Sequence, residues 1–162
     1  MAYQIVETTL GWQPITEVSA TQKHPLGTII QAKDPTYGQG EFIYLKGVAS
    51  TSVGALVTYN VSYQTALGTS AVGVSNPFAV AMSANVASKY GWYQISGLAI
   101  GSTAGSVSFA ATAPFAVASG EMIAATTTNR LAGAVVAVAN PSTTTLLTVQ
   151  IMIDRPAGPS SD

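Results

Sequence analysis

Cysteine is absent from the 162 residues, which removes disulfide frameworks, thiolate nucleophiles and Cys-based zinc sites from consideration. Charge is scarce as well. Lys, Arg, Asp and Glu together make up 8% of the chain, against about 25% in an ordinary soluble domain. Apart from tyrosine, no ionisable acid or base occurs between Gly47 and Ser88, from Tyr90 to Gly120, or from Leu131 to Ile153. These neutral stretches do not read as membrane helices, which need about 20 mostly apolar residues in a row; Ser, Thr, Gln and Gly interrupt them every few positions. No membrane partner is expected. Six Lys plus Arg and a formal net charge of −1 leave no basic patch able to neutralise many phosphates, so nucleic acid is not an expected partner either. The opening Met1-Ala2-Tyr3-Gln4-Ile5-Val6-Glu7 carries no Lys or Arg ahead of its apolar residues and meets an acid at Glu7. That is the wrong pattern for a secretory leader, and synthesis and retention in the cytoplasm are expected.

The residue types that carry chemistry are equally sparse. His24 is the single histidine, so a Ser-His-Asp arrangement would depend on it; the plainer reading is a solvent-exposed residue of an unordered segment. The acids Glu7, Glu17, Asp34, Glu41, Glu121, Asp154 and Asp162 show no repeated spacing. Asp34 and Glu41 flank one loop and could approach as a carboxylate pair, but Asp34 before Pro35 is better read as starting a turn and Glu41 as beginning the returning strand. Gly38-Gln39-Gly40 lacks the third glycine and following helix of a dinucleotide loop, and no phosphate-loop Lys follows it. Asn60-Val61-Ser62 matches a glycosylation acceptor but has meaning only in a secreted chain. No enzyme activity, cofactor or metal is expected.

What remains is periodicity. Apolar and polar residues alternate with a period of two, and no helical spacing bounded by caps occurs. Thr28–Lys33 and Glu41–Lys46 read as a hairpin around the Pro- and Gly-containing loop 34–40. Residues 55–61, 79–83, 90–98 and 134–138 read as further strands, and 144–153 as a last one with a clear apolar face. Tyr90-Gly91-Trp92-Tyr93-Gln94-Ile95-Ser96-Gly97-Leu98 is the densest aromatic stretch, and Trp92 or Tyr93 is expected to anchor the core. The same aromatics would form the sugar platform of a carbohydrate-binding β module if they were exposed. The expected architecture is all-β: one compact antiparallel β-barrel or β-sandwich over 26–155, preceded by an extended N-terminal arm, 1–25, and followed by a flexible tail, 156–162.

A neutral β-sheet lacks the lysines and inward charges that guard edges against pairing, so the composition suits a subunit covered by neighbours. Leu26-Gly27-Thr28-Ile29, the run Gly40-Glu41-Phe42-Ile43-Tyr44-Leu45-Lys46-Gly47-Val48, Ala71-Val72-Gly73-Val74 and Tyr90-Gly91-Trp92-Tyr93-Gln94-Ile95-Ser96-Gly97 resemble small tailed-phage head decoration, or capsid cement, proteins between about Leu26 and Asp154. The resemblance implies a virion protein on the outer capsid surface that clamps the major capsid protein and forms a homo-oligomer, with a trimer favoured over a dimer. A fibre or tail-associated subunit is the neighbouring alternative. No residue-level binding motif of that family maps onto this chain. The expected capsid or subunit contacts therefore come from the arm, a loop and the aromatic stretch: Trp12, Pro14, Ile15, His24, Tyr37, Trp92 and Tyr93.

Overall fold

The organising element is one long, aromatic-rich strand whose two edges collect most of the others. In the computed structural model the described residues are 4–5, 13–48, 51–71, 76–85, 87–105, 107–140 and 148–158, and among them there is no helix. Strands β1 (Gln4–Ile5) and β2 (Val18–Ser19) are short. They are followed by β3 (Ile29–Asp34) and β4 (Gly38–Lys46), which form the expected hairpin in register from Ile29 with Ile43 to Asp34 with Gly38. The turn is built as the sequence suggests. Asp34 Oδ1 accepts hydrogen bonds from the Thr36 and Tyr37 amides at 2.7 and 2.9 Å, and Gly38 supplies the left-handed backbone, φ 74°, that closes it.

Next come β5 (Leu56–Tyr59), β6 (Thr65–Leu67), β7 (Phe78–Ala81) and the hub, β8 (Tyr90–Ser102). Strands β9 (Phe115–Ala118) and β10 (Glu121–Ala124) form a separate two-stranded hairpin. β11 (Ala132–Val136) and β12 (Thr148–Ala157) complete the large antiparallel sheet. Residues 90–96 of β8 pair with β4, while β2, β7 and β12 pair in turn with 90–91, 93–94 and 96–102. Because the same β8 residues serve β4 and these three, β4 must hold one edge and the three share the other.

At Gly97 the strand changes character. Its φ is 101°, and a Cβ there would come within 2.6 Å of the Gln39 carbonyl oxygen; the register to β4 slips at Glu41/Phe42 beside it. This is a bulge only glycine accommodates. It separates the part of β8 that packs with β4 from the part that packs with β12.

Three apolar clusters follow from strand alternation. Phe42, Tyr44 and Trp92 face a cluster with Ile15, Ile30 and Met82, whereas Ile43, Leu45, Tyr93 and Ile95 face another with Val57, Ala79 and Ala81. Phe42–Leu45 of β4 and Trp92–Ile95 of β8 are thus buried on both faces. The third cluster lies between β12 and the β9–β10 hairpin: Val149, Ile151 and Ile153 meet Phe115, Val117 and Met122.

The ends differ from expectation. Residues 13–25 do not stand away from the domain as an arm, because Ile15 lies within the Trp92 cluster and β2 adds to β8. Burying Ile15 offsets the entropy of ordering the segment. At the other end, expected to fray from 156, β12 runs on to Ala157, which pairs with Ala132 and bridges to Pro77.

Candidate functional site

Two of the expected contact residues, Trp92 and Tyr93, are internal fasteners. Consecutive in β8, they point to opposite faces of the sheet and are 0% and 1% exposed. Trp92 Nε1 donates to the Gln13 carbonyl at 3.1 Å. Tyr93 Oη accepts from Asn85 Nδ2 at 3.0 Å, and burial pushes its phenol pKa upward. Neither ring is available as a sugar platform.

Gln13 ties the N-terminal segment down. Its Nε2 donates to the carbonyls of Glu17 and Tyr90 at 3.1 and 3.4 Å, and its Oε1 accepts from the Tyr44 hydroxyl at 2.8 Å. Tyr44 Oη in turn accepts from the Lys23 amide.

His24, expected to be solvent-exposed, is 5% exposed. Its ring centroid lies 5.1 Å from Tyr44 and 5.2 Å from Trp92. The Nε2 atom is buried without a hydrogen-bond partner, and desolvation lowers the imidazole pKa. The rings in contact with it offer neither a carboxylate nor a nucleophile, so His24 packs like an aromatic core residue. The structure gathers Ile15, His24 and Trp92 into one cluster, with Pro14 half-buried beside it; Tyr37 is half-buried in the β3–β4 turn. Trp12 lies outside the described residues.

Asp34 and Glu41 do not pair. Asp34 is spent on its turn, while Glu41 Oε2 accepts from Arg155 Nη2 at 3.1 Å.

The surface that stands out is one that sequence reading missed. Val135, Met152 and Leu98 occupy one cross-strand row on β11, β12 and β8, so their side chains share a face. Val135 and Met152 are exposed at 38% and 47%, and Leu98 is half-buried. Ile100, opposite Gln150, continues the row along β8. The residues one step away, Val136, Ile151 and Ala99, are fully buried on the other face. Beside Val135 and Met152 lies a shallow hollow of about 410 Å3 bounded by Pro114, Arg130, Gly133 and Asp154.

A sequence signal for this face existed: Met152 interrupts the polar side of an otherwise clean alternation. A second hollow, about 450 Å3, is lined by Tyr59, Asn60, Val61, Tyr63, Asn76 and Pro77. Among the described residues no group of three or more His, Asp or Glu is placed to hold a metal ion. No protein-family model matches the chain, and no curated protein matches it either.

Proposed function

We propose that this chain is a structural virion subunit, a capsid decoration or cement protein that associates with copies of itself and with the major capsid protein on the outside of a phage head. The observation that carries the reading is the half-exposed Val135–Met152–Leu98 row, an aliphatic strip on a three-stranded face with Gln150 and Ser102 toward one end and Ser96, Asp154 and Arg130 toward the other. An apolar strip left in water is a cost that burial against a partner removes. With one acid and one base beside the row, Asp154 and Arg130, no block of like charge opposes contact with another copy. The resemblance to head decoration proteins supplies the particle and the partner. The curled sheet fits the barrel-like reading of the fold, since the end of β4 meets the start of β6 through the Lys46–Gln64 bridge.

Sedimentation of the purified chain over a range of concentrations, followed by binding to expanded heads, tests both halves. A homo-oligomer that saturates the heads is the expected result. A monomer at every concentration that also ignores the heads overturns the reading.

A further inference from the structure

We propose that the hollow between the β5–β6 turn and the Asn76–Pro77 segment is a binding site for a neutral saccharide, with Tyr59 and Tyr63 as its stacking walls and the side-chain amides of Asn60 and Asn76 as its polar contacts. Among the described residues the lining contains two phenol rings, two primary amides, one proline and one valine, and, apart from the phenols, no ionisable acid or base. A pyranose with equatorial hydroxyls has that chemistry in complement: apolar C–H faces that lie on aromatic rings, and a rim of hydroxyls that both donate and accept. A volume of about 450 Å3 is of the order that small-ligand sites show.

The turn carrying Tyr63 is held in a conformation that local preference alone would not choose. Tyr63 sits at φ 57°, a left-handed position costly for an aromatic residue, and such outliers concentrate where a site requires them. The surroundings impose it. The Tyr63 amide donates to the Asn60 carbonyl at 2.9 Å, and the Lys46 amide donates to the Tyr63 carbonyl at 3.0 Å. Asn60 Oδ1 accepts from the amides of Ser62 and Gln64, so the turn is held by the oxygen of that side-chain amide. Gly27 lies so close under the Tyr63 ring that a Cβ there would meet it at 2.3 Å, which fixes the ring in place. A stacking wall already held in its bound orientation loses little conformational freedom when a ligand arrives.

Charge selects the ligand class further. Arg155 is near enough to Tyr59 to act on its phenol, but its guanidinium is engaged by Glu41, so the hollow offers no uncompensated charge for an acidic sugar. Val61, at 98% exposed, stands at the lip, where a second sugar ring of an oligosaccharide would pass.

The test titrates cellotetraose, which presents hydroxyls alone, and chitotetraose, which adds acetamide groups, into the 15N-labelled full chain and follows backbone amide shifts. Saturable shifts at Asn60, Val61, Tyr63 and Asn76 with at least one of the two are expected at millimolar concentration. The Tyr63→Gly variant, whose backbone accepts the left-handed conformation without strain, should keep the native spectrum and bind about tenfold more weakly; Asn76→Ala should weaken binding less. If neither oligosaccharide saturates, or if shifts map elsewhere or persist undiminished in Tyr63→Gly, the proposal fails. Saturation of the same amides by a proline-rich peptide while both sugars stay silent assigns the hollow to protein recognition and equally overturns it.

Discussion

The two halves of β8 use the same backbone for opposite ends. From Tyr90 to Ser96 the strand is covered on both faces: Trp92 and Gln94 point one way, Tyr93 and Ile95 the other, and all four are buried. Their polar atoms reach into the protein, Trp92 Nε1 to Gln13 and Gln94 Nε2 to the Ser96 and Leu98 carbonyls. From Gly97 to Ser102 one face is fully covered and the other, carrying Leu98, Ile100 and Ser102, is only half-buried. Ala99 lies against the core cluster of β12, while Leu98 and Ile100 share the open face with Met152. Aromatic residues with polar handles are spent where the chain must hold itself together, and plain aliphatics are left where it is uncovered. That division suits the proposed role of an assembling subunit, since a surface to be covered by a neighbour gains from lacking polar groups that would need new partners.

The sharpest way to break the contrast is to truncate each half. Trp92→Ala removes a fully buried indole and its bond to Gln13, and should cost about 3–5 kcal/mol in urea unfolding. Leu98→Ala, on the half-open face, should cost far less. Equal losses at the two positions would mean that the open face is part of the folded core and that the comparison fails.

The boundary between the halves comes next. Gly97→Ala puts a Cβ 2.6 Å from the Gln39 carbonyl at φ 101°, and both strain and clash should appear as about 1–3 kcal/mol of lost stability. Gly105→Ala is the control, because nothing lies within 4 Å of a Cβ there. A Gly97→Ala protein as stable as this control would show that the bulge is not set by its glycine.

A pH-dependent effect belongs to the covered half alone. His24 is held neutral by burial, below its ordinary pKa of 6.5, between Tyr44 and Trp92, while Tyr44 is itself kept protonated by burial. Above pH 6.5 the imidazole is neutral in both folded and unfolded chains and contributes no slope. As pH falls through 6.5 the unfolded chain binds the proton first, so stability declines until the lower folded pKa is passed and then levels off. His24→Phe should flatten that part of the stability-versus-pH curve, read from unfolding midpoints at successive pH values. An unchanged slope in the variant would place the titration elsewhere.

How much of this was legible in the sequence depends on how local each cause is. The β3–β4 hairpin was, because Asp34, Pro35 and Gly38 encode its turn within five residues. Aromatic density in a strand pointed to Trp92 or Tyr93 as a core anchor, but both had also been expected as contact residues, and both are buried. The docking of 13–25 was not: its fastener is Gln13, whose partners Tyr44, Tyr90 and Trp92 are 31 to 79 positions away, and no periodicity reports such a contact. The same reason misplaced His24, which looks like a loop residue until β4 and β8 bring two rings beside it. The strands β9 and β10 escaped notice because each is only four residues long and alanine stands at 116, 118 and 124. The tyrosine-lined hollow joins Asn60 to Asn76 through the pairing of β5 with β7, which is a property of topology.

The smallest expected change in stability carries the most for the open half. Met152→Lys places a charge at the centre of the Val135–Met152–Leu98 row, where the side chain is already about half in water. Lysine can keep its methylene stem along the aliphatic strip and its ammonium in solvent, so the unfolding free energy should move by no more than about 0.5 kcal/mol. Its effect on association should be large, because a partner covering the row would have to desolvate an unpaired ammonium. Sedimentation of wild type and variant at matched concentrations separates the two quantities. A smaller species for the variant with an unchanged unfolding midpoint assigns the row to contact between subunits. An oligomer that survives Met152→Lys, and likewise Val135→Lys on the adjacent strand, would remove this face from the interface and leave the aliphatic row without the role proposed for it.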